Sequence, residues 1–151
     1  MITTRSARRA SGTKNSSDFL LALTFVRRRT PEKDAADLAK GQVFELASLS
    51  KTIGGVALIS VGKGKQIERL KIGSLFVAQG QPMIWRERRT GNETLLNGPF
   101  RLMPLEKKVP LNNRMGFFEL STADGTHELT LPKKDAPLVE LAIAAEPAAT
   151  V

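Results

Sequence analysis

From Gly73 to Ile143, short strand-like blocks separated by turn residues give way to one apolar helical stripe, so the chain reads as strands closed by a helix. The blocks are residues 67–72 and 74–78 around Gly73, which is expected to mark a bulge or bend, followed by residues 82–88 and 100–103. Asp124-Gly125 predicts a two-residue type I′ turn between two longer strands. Counting back from that turn pairs Leu120 with Leu129 and Phe118 with Leu131 on one face, with His127 opposite Thr122. Leu138, Leu141, Ala142 and Ala145 form the helical stripe, widened by Val139 and Ile143. Asp135 is placed to cap this helix, Pro137 to sit in its first turn, and Pro147 to stop it.

Upstream the pattern is less regular. Residues 1–17 have no apolar periodicity and read as a basic disordered arm. The unbroken apolar run 19–26 fits a short buried strand or a helix starting at Ser17. Thr30 as N-cap, Pro31 at the first helical position and Gly41 after the last predict a helix over 31–40. Residues 42–61 are mixed, divided by Gly54-Gly55 before a β-rich stretch, 56–61, and a basic turn, Gly62-Lys63-Gly64-Lys65. The expected layout is an arm (1–17), an apolar segment and helix (18–41), and a β-rich domain with a closing helix (42–151). In fold class this is mainly β with a C-terminal helix (α+β), a small bent β-barrel or roll.

The strands around Gly73 to Val77 and Met83 to Arg86, the hairpin Phe117 to Gly125 and the closing helix together resemble the pleckstrin-homology and GRAM-like β-barrel family. The likeness covers about half the chain and carries no invariant motif. It implies a bent barrel plugged by the C-terminal helix, binding rather than catalysis, and an anionic headgroup site at positions matching Lys63, Lys65 and Lys71.

Composition adds charge to this picture. The chain has 151 residues and a formal net charge of +8, and residues 1–29 alone hold seven Lys/Arg against one acid. Such asymmetry points to a polyanionic partner, either nucleic acid or an anionic lipid surface. The candidate polyanion-binding residues are Arg5, Arg8, Arg9, Arg27, Arg28, Arg29, Lys63, Lys65, Arg86, Arg88 and Arg89. The last three flank Trp85, the only tryptophan, so a charged strand surface with a stacking ring is the nucleic-acid alternative. No apolar run reaches the 18 or so residues a membrane-spanning helix needs. Arg27, Arg28 and Arg29 stand where a secretory signal would have small residues, so the expected location is cytoplasmic, or an organelle matrix if residues 1–17 are a transit peptide.

Reactive chemistry is sparse. There is no cysteine and no tyrosine, and His127 is the only histidine, so neither a disulfide, a thiolate nucleophile nor a His-rich metal site is expected. Ser48-Leu49-Ser50-Lys51 matches the Ser-x-x-Lys spacing of acyl-transfer enzymes, where a helix sets the lysine one turn after the serine. Gly62-x-Gly64-Lys65 resembles a fragment of a phosphate loop but lacks the following Ser or Thr. Glu68, Glu87, Glu93, Glu106 and Glu119 have no spacing that pairs two as acid and base. The sequence therefore predicts a non-catalytic binding or scaffolding module without a cofactor, its partner a polyanion or another protein, with further assembly open through edge strands.

Overall fold

A computed structural model describes residue 4 and residues 7–9, 30–106 and 114–144. The expectations for the run 19–26, for Arg5, Arg27, Arg28 and Arg29, for Ala145 and for Pro147 lie outside the described residues. The described elements are β1 (Arg8–Arg9), α1 (Pro31–Ala39), β2 (Phe44–Ser50), β3 (Leu58–Ser60), β4 (Gln66–Glu68) and β5 (Lys71–Val77). They continue with β6 (Met83–Glu87), β7 (Glu93–Leu96), β8 (Arg101–Leu105), β9 (Met115–Thr122), β10 (Gly125–Pro132) and α2 (Ala136–Ala144), the last preceded by a 3-10 turn at Lys133–Asp135.

The chain is mainly β with a closing helix. One sheet runs β7-β6-β5-β2-β10-β9-β8, its neighbours antiparallel, with β1 added in parallel to β2. Its end strands β7 and β8 are not paired with each other, so no closed barrel forms among the described residues. Pro104 in edge strand β8 removes one backbone donor that a foreign strand would use. β2 is the hinge of the sheet: it pairs with β5 along its whole length but with β10 only at Leu49 and Ser50.

One interior holds the molecule together. Phe44 and Leu46 from β2, Leu75 and Val77 from β5, Met83 and Trp85 from β6, Leu129 and Leu131 from β10, and Leu138, Val139 and Ala142 from α2 are all buried in it. Leu38 brings α1 onto the same cluster, and Leu141 and Ile143 widen the buried stripe of α2. Thr30 caps α1 as the sequence requires, its Oγ1 accepting from Lys33 N at 3.1 Å, and Lys40 ends the helix one residue earlier than expected. Asp135 lies buried within the 3-10 turn rather than outside a helix start.

Three expected details differ. The β9–β10 register pairs Leu129 with Phe118 and His127 with Leu120, and Thr122 with Gly125 closes the turn. A type I′ turn at Asp124-Gly125 needs positive φ at both residues, and only Gly125 has it, at 141°. The turn therefore moves back to Ala123-Asp124, where Thr122 Oγ1 accepts from Asp124 N at 3.2 Å and donates to Gly125 O at 3.0 Å. The two-residue shift preserves strand parity, so Phe118, Leu120, Leu129 and Leu131 still meet in the core.

Second, Gly73 makes no bulge or bend, since β5 pairs regularly with β2 and β6 through it. A Cβ there would run into the Trp85 ring and Arg86 O, so the glycine makes room for the indole. Third, residues 67–72 are not one strand: the chain breaks at Arg69-Leu70, and β4 pairs with β3 in a separate two-stranded sheet.

The basic arm also departs from expectation at Arg8–Arg9, which are ordered as β1 on the Phe44–Glu45 edge of β2.

Candidate binding surface

The loop leaving β2 is held from two sides. Ser50 Oγ accepts from Ile53 N at 3.2 Å, and the Lys71 ammonium donates to Ile53 O at 2.5 Å and to Gly55 O. Ile53 is buried, so the loop is pinned to the core before the chain turns outward. Residues 56–70 then form the β3–β4 hairpin, with Ile59 opposite Ile67 and Ser60 opposite Gln66. Arg69 N donates to Ala57 O at 2.6 Å at its base, and Lys65 N donates to Gly62 O at 3.0 Å in its turn. An ion pair from Arg69 to Glu87, 3.0 Å, ties the base to β6.

Every residue of β3 and β4 is exposed. Seven of the nine exposed large apolar side chains among the described residues fall between positions 56 and 72: Val56, Leu58, Ile59, Val61, Ile67, Leu70 and Ile72. That concentration marks a patch rather than scattered surface carbon. Strand pairing puts Ile59, Val61 and Ile67 on one face of the hairpin, and Leu58 and Leu70 on the other.

Cations surround this carbon. Lys63 and Lys65 are exposed at the hairpin tip, and Arg88 and Arg89 are exposed in the β6–β7 turn. Arg88 N donates to Ile72 O at 2.9 Å, which fixes that turn beside the hairpin base, and exposed Lys51 leaves β2 at the same end. The exposed acids at this end are Glu68, Asp124 and Glu93, the last paired with Arg86. Lys63, Lys65, Arg88 and Arg89 were legible as basic positions, whereas Lys51 and the apolar residues beside them were not read as a surface.

The remaining sequence candidates divide. Arg86 is drawn away from Trp85: it pairs with Glu93 at 2.6 Å, donates to Thr4 Oγ1 at 2.8 Å and lies 4.8 Å from the Phe76 ring centroid. Trp85 is 1% exposed, so it offers no ring face to a nucleic-acid base. Arg8 pairs with Asp37, and Arg9 follows it in β1. Lys71, the third position implied for a headgroup, is 2% exposed and faces inward, with its Nζ 5.7 Å from the Trp85 ring centroid. It cannot share a surface with Lys63 and Lys65. Burial pushes its pKa below the ordinary lysine value, with Glu87 opposing the shift and Arg69 adding to it.

The acyl-transfer geometry does not form. Ser48 lies in a strand, fully buried, with its Oγ accepting from Trp85 Nε1 at 2.9 Å, while Lys51 is exposed beyond the strand end. Three residues of extended chain put two side chains on opposite faces, unlike a helical turn. Gly62-x-Gly64-Lys65 is the hairpin turn. Glu87 and Glu93 are held separately by Arg69 and Arg86, while Glu68 lies on the hairpin and Glu119 on β9. No three His, Cys, Asp or Glu side chains among the described residues gather to hold a metal. No helix among the described residues is long and apolar enough to cross a membrane.

His127 braces the surface from behind, its Nδ1 2.8 Å from Thr52 Oγ1 in the pinned loop. Burial lowers its pKa below 6.5; Asp124 opposes this and Lys71 adds to it. The folded protein thus takes up this proton at lower pH than the unfolded chain. Stability attributable to His127 is complete above pH 6.5 and falls as pH drops below it towards the lowered value. Thermal unfolding from pH 7.5 to 5.5 is expected to show a falling midpoint that His127→Gln flattens. An unchanged slope in that variant would remove His127 as the cause.

Comparison with protein-family models, with curated proteins and with solved structures finds no match for this chain.

Proposed function

We propose that this protein is a non-catalytic binding module that docks through the β3–β4 hairpin and its basic collar onto an anionic lipid interface. The observation that carries the reading is a protruding two-stranded hairpin with apolar side chains on both faces and lysines at its tip. A lone hairpin is marginally stable in water, so leaving this much carbon in solvent favours a partner that covers it. Full burial of Ile59, Val61 and Ile67 is worth roughly 1.5–3 kcal/mol each, and their half-exposed state leaves about half of that for binding. Each nearby Lys or Arg contributes about 1 kcal/mol at an anionic membrane surface. The two contributions are similar in size, so binding needs both.

Nucleic acid is the second reading, supported by the net charge of +8. The hairpin itself favours lipid. Its strands Leu58–Ser60 and Gln66–Glu68 carry no Lys or Arg and no aromatic ring, so a phosphate-lined groove would meet carbon and Glu68.

Vesicle co-sedimentation separates the two. The chain should bind vesicles containing phosphatidylserine and not neutral vesicles. Ile59→Asp with Ile67→Asp should weaken binding at least tenfold, and Lys63→Glu with Lys65→Glu should weaken it similarly and flatten its salt dependence. Failure to bind anionic vesicles would end the lipid reading. Binding to random DNA or RNA that falls steeply between about 50 and 200 mM salt, unaffected by the Ile59 and Ile67 changes, would establish the other.

A further inference from the structure

A second contact on the opposite end of β2 carries an inference independent of the hairpin. The Phe44–Glu45 edge of β2 receives β1 in parallel register, Arg8 beside Phe44 and Arg9 beside Glu45, with Arg8 N donating to Val43 O at 2.9 Å. The Arg8 guanidinium meets two groups at once. It pairs with Asp37 of α1 at 2.5 Å and lies 5.0 Å from the centroid of the Phe44 ring. Ala7 packs on the small apolar cluster of Val43, Phe76 and Ala78. A cavity of about 190 Å³ opens beside these contacts, lined among the described residues by Asp37, Lys40, Gly41, Gln42 and Val43.

These contacts are those of a receptor for an extended strand. Backbone pairing supplies direction without regard to sequence, and the carboxylate with the ring face selects one side chain. A planar guanidinium lies flat on a ring face while its in-plane N–H groups donate to a carboxylate, a geometry that a compact, strongly hydrated ammonium fits less well. Nothing in the arrangement requires that the strand belong to the same polypeptide position. Among the described residues the ladder spans two residues, and the Arg8 side chain of its ion pair stays 38% exposed, so the observed contacts hold the occupant weakly enough to exchange.

We infer that the slot built from the Phe44–Glu45 edge of β2, the Asp37 carboxylate and the Phe44 ring is a binding site for an extended peptide segment bearing an arginine, and that the chain's own Arg8 segment occupies it in cis. The cavity beside Asp37 gives a peptide supplied in trans room for a further side chain next to the arginine. A tethered occupant competes at an effective concentration near the millimolar range, so the slot discriminates against weak ligands.

The test uses the full chain and a labelled synthetic peptide of residues 1–12, with binding read by fluorescence anisotropy. Arg8→Glu in the chain sets a carboxylate against Asp37 and frees the slot. This variant should bind the peptide at least tenfold more tightly than the wild-type chain does, and a peptide carrying Arg8→Ala should bind it at least tenfold more weakly. A variant with the wild-type near-ultraviolet signal of Trp85 that binds no peptide, or binds both peptides equally, overturns the inference. A readout independent of that variant's folding is the Arg8 amide of the isotopically labelled wild-type chain. Unlabelled peptide at about 1 mM, comparable to the tethered concentration, should shift this resonance or speed its hydrogen exchange. An unchanged Arg8 amide overturns the inference as well.

Discussion

Replacing Trp85 with alanine is expected to lower the unfolding free energy by about 3–5 kcal/mol, the range for removing a large aromatic side chain from a packed core. Trp85 is 1% exposed, and its indole crosses β5 over Gly73 to place Nε1 2.9 Å from Ser48 Oγ on β2. Three adjacent strands therefore converge on one ring. Trp85→Phe keeps most of the carbon but removes the donor, leaving a fully buried hydroxyl to find another partner, and should cost about 1–3 kcal/mol. Gly73→Ala approaches the same contact from the other side. A methyl group there meets the indole and the backbone of Arg86, which overpacking places at about 1–3 kcal/mol or more. Urea unfolding followed by far-ultraviolet circular dichroism measures all three. A Trp85→Ala cost under about 1 kcal/mol would show that the ring is not what holds β2, β5 and β6 together.

That ring also shows why some of the fold was legible and some was not. α1 was readable because its signals are local: Thr30, Pro31 and Gly41 act within one turn of the backbone. The helical stripe of α2 and the core pairing of Phe118 and Leu120 with Leu129 and Leu131 were readable for the same reason, since period and parity survive small errors of register. β2 was missed, although it is the central strand. Its inward positions are Phe44, Leu46, Ser48 and Ser50, and the two serines break the apolar alternation that marks a buried face. They point inward because Ser48 receives the N–H of Trp85, 37 residues further along the chain, while Ser50 accepts from Ile53 N only three residues on, a turn contact that leaves no apolar mark on the strand. Gly73 looked like a bend because nothing in its neighbourhood reveals a tryptophan twelve residues later lying across it.

The candidate surface was half legible in the same sense. Lys63, Lys65, Arg88 and Arg89 declared their charge, but only strand order places the β6–β7 turn beside the hairpin base. Val56, Leu58, Ile59, Val61 and Ile67 have strong β propensity, and such residues usually enter a core. Here β5 leaves no room for them, because its two neighbours in the sheet are already β2 and β6. The hairpin is thus an insertion between two paired strands, with its apolar faces left in solvent. Arg8 belongs to neither category: its charge suggested a solvated polyanion arm, and the structure uses it in a parallel ladder against Asp37.

Lys71 joins the core to that hairpin, and its removal is the other change with a large expected effect. The ammonium, 2% exposed, donates to Ile53 O and Gly55 O while lying over the Trp85 ring. A hydrogen bond from a charged donor contributes about 1.5–3 kcal/mol, so Lys71→Ala, which loses two of them and the packed methylene stem, should cost about 3–5 kcal/mol. Lys71→Met separates these parts. It restores the stem and removes a charge whose desolvation already lowers its pKa, so it should recover about half of the loss in urea unfolding. What methionine cannot restore is the grip on the loop carbonyls. Hydrogen exchange in residues 51–57 should therefore quicken in Lys71→Met even where global stability is mostly regained, and the hairpin should lose its fixed angle to the sheet. The Arg69–Glu87 ion pair would remain as its tie to β6. If the loop amides of Lys71→Met exchange as slowly as in the wild type, the loop is held by Ser50 and by burial of Ile53, and the lysine serves only as packing.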